Sequence, residues 1–257
     1  MPQVHLERVG NMRDIGGVPT LSGEMVATGR LYRSASPHEM TRADRDVFET
    51  LAIWTFIDLR TRWETERQPY EIPGGRLLNI PLAAEDSVAS VTERFMAGEL
   101  TNGQLEDWWG LIGLYDAPEA HAAGIRAVFE ALIGVPPGEA VVLHCRGGKD
   151  RTGLIAALAL EALGVDRALI VDDFLLSREA PHHFPPGEAE AMQRAMDKME
   201  LTRKAIRSLS GVRPEWLLAL LEGLDARYGS IAAYLSDRVG LGTDGVEWLR
   251  RGYLQPI

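Results

Sequence analysis

An α/β fold, with a sheet-based core and a helical C-terminal part, is predicted by three features of this sequence. Short apolar runs at 53–59 (IWTFIDL), 77–82 (LLNIPL) and 140–143 (AVVL) have the length and composition of buried strands. Helical patterns alternate with them, the strongest being the nearly all-apolar stretch 152–163 (TGLIAALALEAL). From about residue 188 onward only amphipathic helical patterns remain.

Taken in order, the first 35 residues are rich in glycine and turn formers and read as short strands and turns. Thr41 followed by Asp44 has the form of a helix N-cap with an acidic third position, so a helix should run to about residue 52. Strands at 53–59 and 77–82 follow, the second ended by Pro81. Residues 88–132 read as mainly helical, with Trp108, Trp109, Leu111 and Ile112 on a core face and breaks near Gly103 and Pro118. Val135-Pro136-Pro137-Gly138 is a stop before the strand at 140–143. Helices at 152–163 and from Asp166 to about 177 come next. The segment 181–186 (PHHFPP) reads as a linker, either a hinge for a lid or a plain connection. Three or four amphipathic helices are expected beyond it, at roughly 188–209, 214–224, 230–238 and 245–253. The whole is read as one domain, 1–180 being the α/β core and 181–257 the helical part.

Composition narrows the function classes. The chain has 257 residues, 46% of them apolar, enough for one sizeable core. A net charge of -10 disfavours general binding of nucleic acid or anionic membrane, so an anionic ligand needs a local cluster of positive charge. A single cysteine excludes an intrachain disulfide. No apolar run approaches the ~20 residues of a membrane span, and the N-terminal stretch lacks a signal-peptide core. A cytoplasmic protein is expected, with export by a route that reads no such signal left open.

Such a cluster lies between the strand AVVL and the helix TGLIAALALEAL, in the loop HCRGGKDR. Cys145 and Arg151 are separated by five residues. A strand-loop-helix of this kind can turn backbone N–H groups toward an anion, backed by the positive start of the helix. Gly147 and Gly148 let the backbone curl closely around a tetrahedral oxyanion. The Arg151 guanidinium can grip two phosphate oxygens, with Arg146 and Lys149 as further cations. The same field favours a thiolate at Cys145, ready to attack phosphorus. Thr152 can donate its hydroxyl to that thiolate, and His144 is better suited to hold the loop than to act as a base. Taken alone, a lone cysteine is more often a small buried residue; here its company argues for a cradle. The loop is not a nucleotide-binding one, because Leu143 stands where the first glycine is needed and Asp150 where Ser or Thr is needed. A sulfurtransferase loop is one residue shorter.

HCRGGKDRTG resembles the signature of the protein tyrosine phosphatase superfamily. Together with NMRDIGG (11–17), LYRSA (31–35), FIDLRT (56–61) and YGSIAAYL (228–235), it is similar to the bacterial tyrosine/serine phosphatase family. That family includes secreted mycobacterial and listerial phosphatases with dual protein and phosphoinositide activity. The resemblance implies a phosphatase-type central mixed sheet flanked by helices, no metal and no organic cofactor. It implies Cys145 as nucleophile, Arg151 as transition-state binder, Arg146 and Lys149 as anion contacts, and a catalytic role for Asp150. It also implies that a helical lid over the site could correspond to residues after Pro181. Substrates would be phosphoproteins, phosphotyrosine first, with phosphoserine/threonine, phosphoinositides or a small phosphoester also fitting the loop.

The general acid stays open among Asp150 in the loop, Asp58 at a strand end, and Asp86 in the loop after 77–82. Asp58 reads first as a buried partner of Arg60 or Arg13. Asp172 and Asp173 read as a solvated or capping pair, His182 and His183 as loop residues, and Arg13, Asp14 and Arg33 as braces of the fold. Two other functions are compatible with the loop, a non-catalytic phosphate-binding module and a sulfurtransferase.

Overall fold

A computed structural model describes residues 2–107, 118–178, 187–210 and 212–257, with backbone alone at 85–87 and 210. The expectations for Trp108, Trp109, Leu111, Ile112 and the segment 181–186 lie outside the described residues. The central sheet is mixed and has the order β1-β3-β6-β4-β5. Its strands are β1 (Arg13–Asp14), β3 (Leu31–Ser34), β4 (Ile53–Asp58), β5 (Arg76–Asn79) and β6 (Ala140–His144). β3, β6, β4 and β5 run parallel, and β1 pairs antiparallel with β3.

Two-residue alternation sends side chains from each strand to opposite faces. Leu31, Ile57, Val141 and Leu143 enter the larger core, with Phe129, Leu154 and Leu158. Tyr32, Ile53, Phe56 and Val142 enter a second core with Val9, Met12 and Phe48. Both faces of the sheet are therefore covered, as parallel strands require. Each fully buried large side chain contributes on the order of 1.5–3 kcal/mol.

Capping boxes set the first two helices, α1 (Arg42–Thr50) and α2 (Arg62–Arg67). Thr41 and Asp44 cap α1 reciprocally, as the sequence predicts, and Thr61 and Glu64 do the same for α2. Then come α3 (Glu85–Met96), α4 (Asn102–Glu106), α5 (Ala122–Ile133), α6 (Asp150–Ala162) and α7 (Arg167–Leu176). α6 packs against β6, β3 and α7 and is buried on almost every side.

The C-terminal part departs from expectation in two ways. Residues 188–209 form two helices rather than one, α8 (Glu188–Lys198) and α9 (Arg203–Ser210). Glu200 takes a left-handed φ of 48°, and the Thr202 hydroxyl accepts from Ala205 N at 3.1 Å to start the second helix. Next come α10 (Pro214–Tyr228), one turn at Ile231–Ala233 that widens into a π turn, and α11 (Gly242–Tyr253). The chain closes on β7 (Leu254–Pro256), which pairs antiparallel with β2 (Glu24–Val26). α8 and α9 pack on α3 and α4 through a third cluster of Val91, Phe95, Leu105 and Ala205, with Met192 and Met196 at its edge. β5 is shorter than the 77–82 run and lies exposed at the sheet edge. Among the described residues no helix is long and apolar enough to cross a membrane.

Candidate active site

Three parallel strands end side by side, with Ser34 of β3 and Asp58 of β4 both in register with His144 of β6. Ligand sites in parallel sheets gather beyond such carboxyl ends. Here the chain leaves β6 at Cys145, loops through residue 149 and enters α6 at Asp150. Cys145 is 3% exposed. Gly148 has a φ of 63°, and a Cβ there would collide with the Ser34 carbonyl, so glycine alone lets the loop lie against β3.

The carbonyls of this loop are tied from outside. Ser36 N donates to Arg146 O at 3.0 Å. Asn11 Nδ2 donates to Gly147 O at 3.1 Å and to Gly148 O at 2.9 Å. Arg33 Nη2 donates to Gly148 O at 2.8 Å and to Lys149 O at 3.1 Å. Every peptide among the described residues is trans, and in a planar trans peptide the N–H points opposite to the C=O. The N–H groups of 147–150 therefore point away from Asn11, Arg33 and Ser36. Among the described residues those of Gly147, Gly148 and Lys149 reach no protein acceptor. Consecutive free N–H groups at a helix start form an anion cradle.

Arg151 is fixed by a residue that sequence reasoning missed. Its Nη1 and Nη2 donate to Glu64 Oε2 and Oε1 at 2.5 and 2.8 Å, and Nη1 also donates to Leu59 O at 3.3 Å. A guanidinium has five N–H donors. Among the described residues three are used, and the two left, on Nε and Nη2, lie along one edge as a fork for two oxygens. Glu64 is itself held, because its Oε2 accepts from Thr61 N and Oγ1 at 2.9 and 3.1 Å. Burial alone would raise the Glu64 carboxyl, but the Arg151 charge and hydrogen bonds outweigh it and hold it at about 2. The available signal was the Thr61–Glu64 capping-box spacing, the same device read at Thr41.

Behind the loop lies a dry ion cluster. Asp173 accepts from Arg13 Nε at 2.6 Å and from Arg33 Nη1 at 2.5 Å, and all three side chains are at most 2% exposed. The reading of Asp173 as solvated or capping is thus corrected: Ile170, Asp173 and Phe174 form the inner face of α7. Burial would push the Asp173 carboxyl up, but the Arg33 and Arg13 charges outweigh it and hold it below the usual carboxylate range. Arg13 Nη1 also donates to Asn11 Oδ1 at 2.5 Å.

The three aspartates considered as acids separate. Asp58 is 1% exposed and accepts from Arg60 Nε and Nη2 at 2.8–3.1 Å, so its partner is Arg60, not Arg13. Burial opposes its ionisation, but the His144 and Arg60 interactions prevail and lower it. Asp150 lies 3.7 Å from the Lys149 ammonium. Burial pushes its carboxyl up to about 6, only partly offset by the charges of Lys149, Arg151 and Arg33. Asp86 falls in the first turn of α3, and its side chain lies outside the description. His144 is fully buried, and burial lowers it to about 4, so its imidazole is neutral near pH 7. Tyr70, whose phenol burial raises well above its usual range, donates its O–H to His144 Nε2. His144 Nδ1 then donates to the Cys145 carbonyl at 3.3 Å.

The remaining loop residues are engaged from the C-terminal side. Arg146 pairs with Glu188 at the start of α8, and Lys149 Nζ donates to Leu209 O in α9 at 3.0 Å. The Thr152 hydroxyl is buried with no hydrogen-bond partner among the described residues.

A family model described as the tyrosine phosphatase family matches residues 4–255. The chain is 30% identical to the triple specificity protein phosphatase PtpB of Mycobacterium tuberculosis, over 88% of this chain and 90% of that one. It is 24% identical to a tyrosine-protein phosphatase of Nostoc commune, over 90% of this chain and 76% of that one. Among solved structures, the core catalytic domain of the PP-IP phosphatase SIW14 of S. cerevisiae aligns with a TM-score of 0.40 at 15% identity, covering 84% of this chain and 98% of that one. That superposition is too slight to bear on function.

Proposed function

Given that this chain belongs to the tyrosine phosphatase family and hydrolyses phosphoesters by cysteine chemistry, we propose that Cys145 is the nucleophile, Arg151 the transition-state binder and Asp150 the general acid. The Cys145 Sγ attacks phosphorus, the S–P bond forms and the P–O bond to the leaving group breaks. Asp150 gives its proton to the leaving oxygen. In the second step its carboxylate takes a proton from water, which attacks phosphorus and releases inorganic phosphate and the sulfur. The N–H groups of 147–150 and the free edge of Arg151 receive the phosphoryl oxygens, with the Arg146 and Lys149 cations as further anion contacts.

One observation carries this reading: the outward tethering of the carbonyls of 146–149, which leaves successive N–H groups for an oxyanion. Asp150 is preferred over Asp58 because an acid near 6 can hold a proton close to neutrality, whereas Asp58 is kept ionised by Arg60. Phosphotyrosine is the substrate we put first, with phosphoserine/threonine and phosphoinositides next. PtpB carries triple specificity in its name, and Arg146 and Lys149 offer charge beyond the reacting phosphate. We further read α8 and α9 as a lid, since Glu188 and Leu209 hold those two cations and must release them to substrate. A thiol-dependent site suits a reducing compartment, and the cytoplasm is the one proposed.

Hydrolysis of p-nitrophenyl phosphate tests the reading. It should survive EDTA, be blocked by vanadate and vanish in Cys145→Ser, while that variant still binds phosphate. Wild-type turnover in Cys145→Ser would refute the mechanism. A panel of phosphopeptides and phosphoinositides at matched kcat/KM would rank the substrates.

A further inference from the structure

We propose that Asn11 is a positioning residue that keeps the loop in its amide-inward form and so sets its affinity for a tetrahedral oxyanion; this rests on the phosphatase reading and deepens it. Asn11 sits in a left-handed conformation, φ 58°, which asparagine adopts more readily than most residues. Its Oδ1 accepts from Arg13 Nη1 at 2.5 Å, which fixes the orientation of the side-chain amide. Nδ2 is thereby aimed at the loop, where it bonds Gly147 O and Gly148 O, with a longer contact of 3.4 Å to Ser177 Oγ. Arg13 is anchored in turn by Asp173. A rigid chain thus runs from α7 to the cradle.

The peptide that Asn11 controls is the one most prone to turn over. Between Gly147 and Gly148 no Cβ restricts either neighbouring dihedral, so a flip of that plane meets the least steric resistance. A flip would replace the Gly148 N–H with the Gly147 carbonyl oxygen and aim a negative dipole at the oxyanion. Arg33 supports Gly148 O and Lys149 O, but among the described residues Asn11 alone donates to Gly147 O.

Two substitutions separate the donor from the backbone conformation. Asn11→Gly keeps the left-handed φ accessible and removes the donor. Asn11→Asp keeps the shape and puts a carboxylate against two carbonyls. Ser177→Ala is the control, because it weakens the same buried cluster without touching a loop carbonyl. Steady-state hydrolysis of p-nitrophenyl phosphate, orthovanadate inhibition and melting temperature are read for each. Both Asn11 variants should lose about 10²-fold in kcat and in vanadate affinity, Asn11→Asp the more, with KM changed far less. Ser177→Ala should keep wild-type kinetics and vanadate affinity even where it melts earlier. Where Asn11→Gly does not fold, Asn11→Asp makes the same discrimination. The inference is overturned if a folded Asn11 variant binds vanadate as wild type does, or if Ser177→Ala loses as much. A wild-type protein indifferent to vanadate would overturn the phosphatase reading, and this inference with it.

Discussion

Two sets of contacts grip the loop at 145–150, and they differ in kind. Behind it, Arg13, Arg33 and Asp173 are closed off from water, and Arg33 and Asn11 donate to the loop's main-chain carbonyls through several hydrogen bonds. In front, Arg146 and Lys149 meet α8 and α9 through one ion pair and one hydrogen bond, and the Arg146 side chain is 38% exposed. The rear contacts share buried groups whose loss leaves charges uncompensated, so they are built to stay. The front contacts are fewer, and under the proposed lid reading they are the ones that give way to a phosphate. A site that must be preformed yet accessible calls for both kinds.

The largest effect expected from breaking this comparison is at the rear. Asp173→Ala leaves two buried guanidiniums sharing no carboxylate and should destabilise the fold by about 3–5 kcal/mol, read from urea unfolding. Next is Asp150→Asn, which should lower kcat by about 10²-fold on a poor leaving group and much less on p-nitrophenyl phosphate, whose phenolate leaves without help.

The same aspartate predicts two pH effects. As the acid it must carry its proton, so kcat should fall as pH rises through about 6, and Asp150→Asn should flatten that limb. Its folded form binds the proton more tightly than the unfolded chain, whose value is near 3.8. The stability this gives is complete below 3.8 and is lost as pH rises through about 6. Asp150→Asn should therefore melt higher than wild type at neutral pH and no higher at about pH 4.

Glu64→Gln keeps the packing but weakens the clamp on Arg151. A roughly tenfold fall in kcat with little change in KM is expected. The smallest effect is at the front. Glu188→Gln should change stability by less than about 1 kcal/mol and should lower KM, because substrate no longer competes with a carboxylate for Arg146. A higher KM would contradict the reading of α8 and α9 as a lid.

The loop itself was legible because its chemistry is local: a strand, two glycines, three cations and a helix start lie within a dozen residues. Thr41 was legible as a cap for the same reason. Glu64 and Asn11 were not, since they meet the loop from 87 and 136 residues away, and only the folded sheet brings them there. Asp173 was misread because an Asp-Asp pair on a helix looks the same whether its inner face meets solvent or two arginines. The break at 199–202 has neither proline nor glycine, and its one local mark, Thr202 as a cap, is weak beside the continuous amphipathic pattern. β7 was missed because three residues carry no period, and its partner β2 lies at the other end of the chain.

A crystal structure of the Cys145→Ser variant with inorganic phosphate would test the central claim most directly. The account predicts phosphate seated above residue 145, its oxygens within about 3.2 Å of the amide nitrogens of 147–150 and of Arg151 Nε and Nη2, while Glu64 keeps the other edge. A phosphate bound elsewhere, or a loop carbonyl turned toward it, would contradict the account.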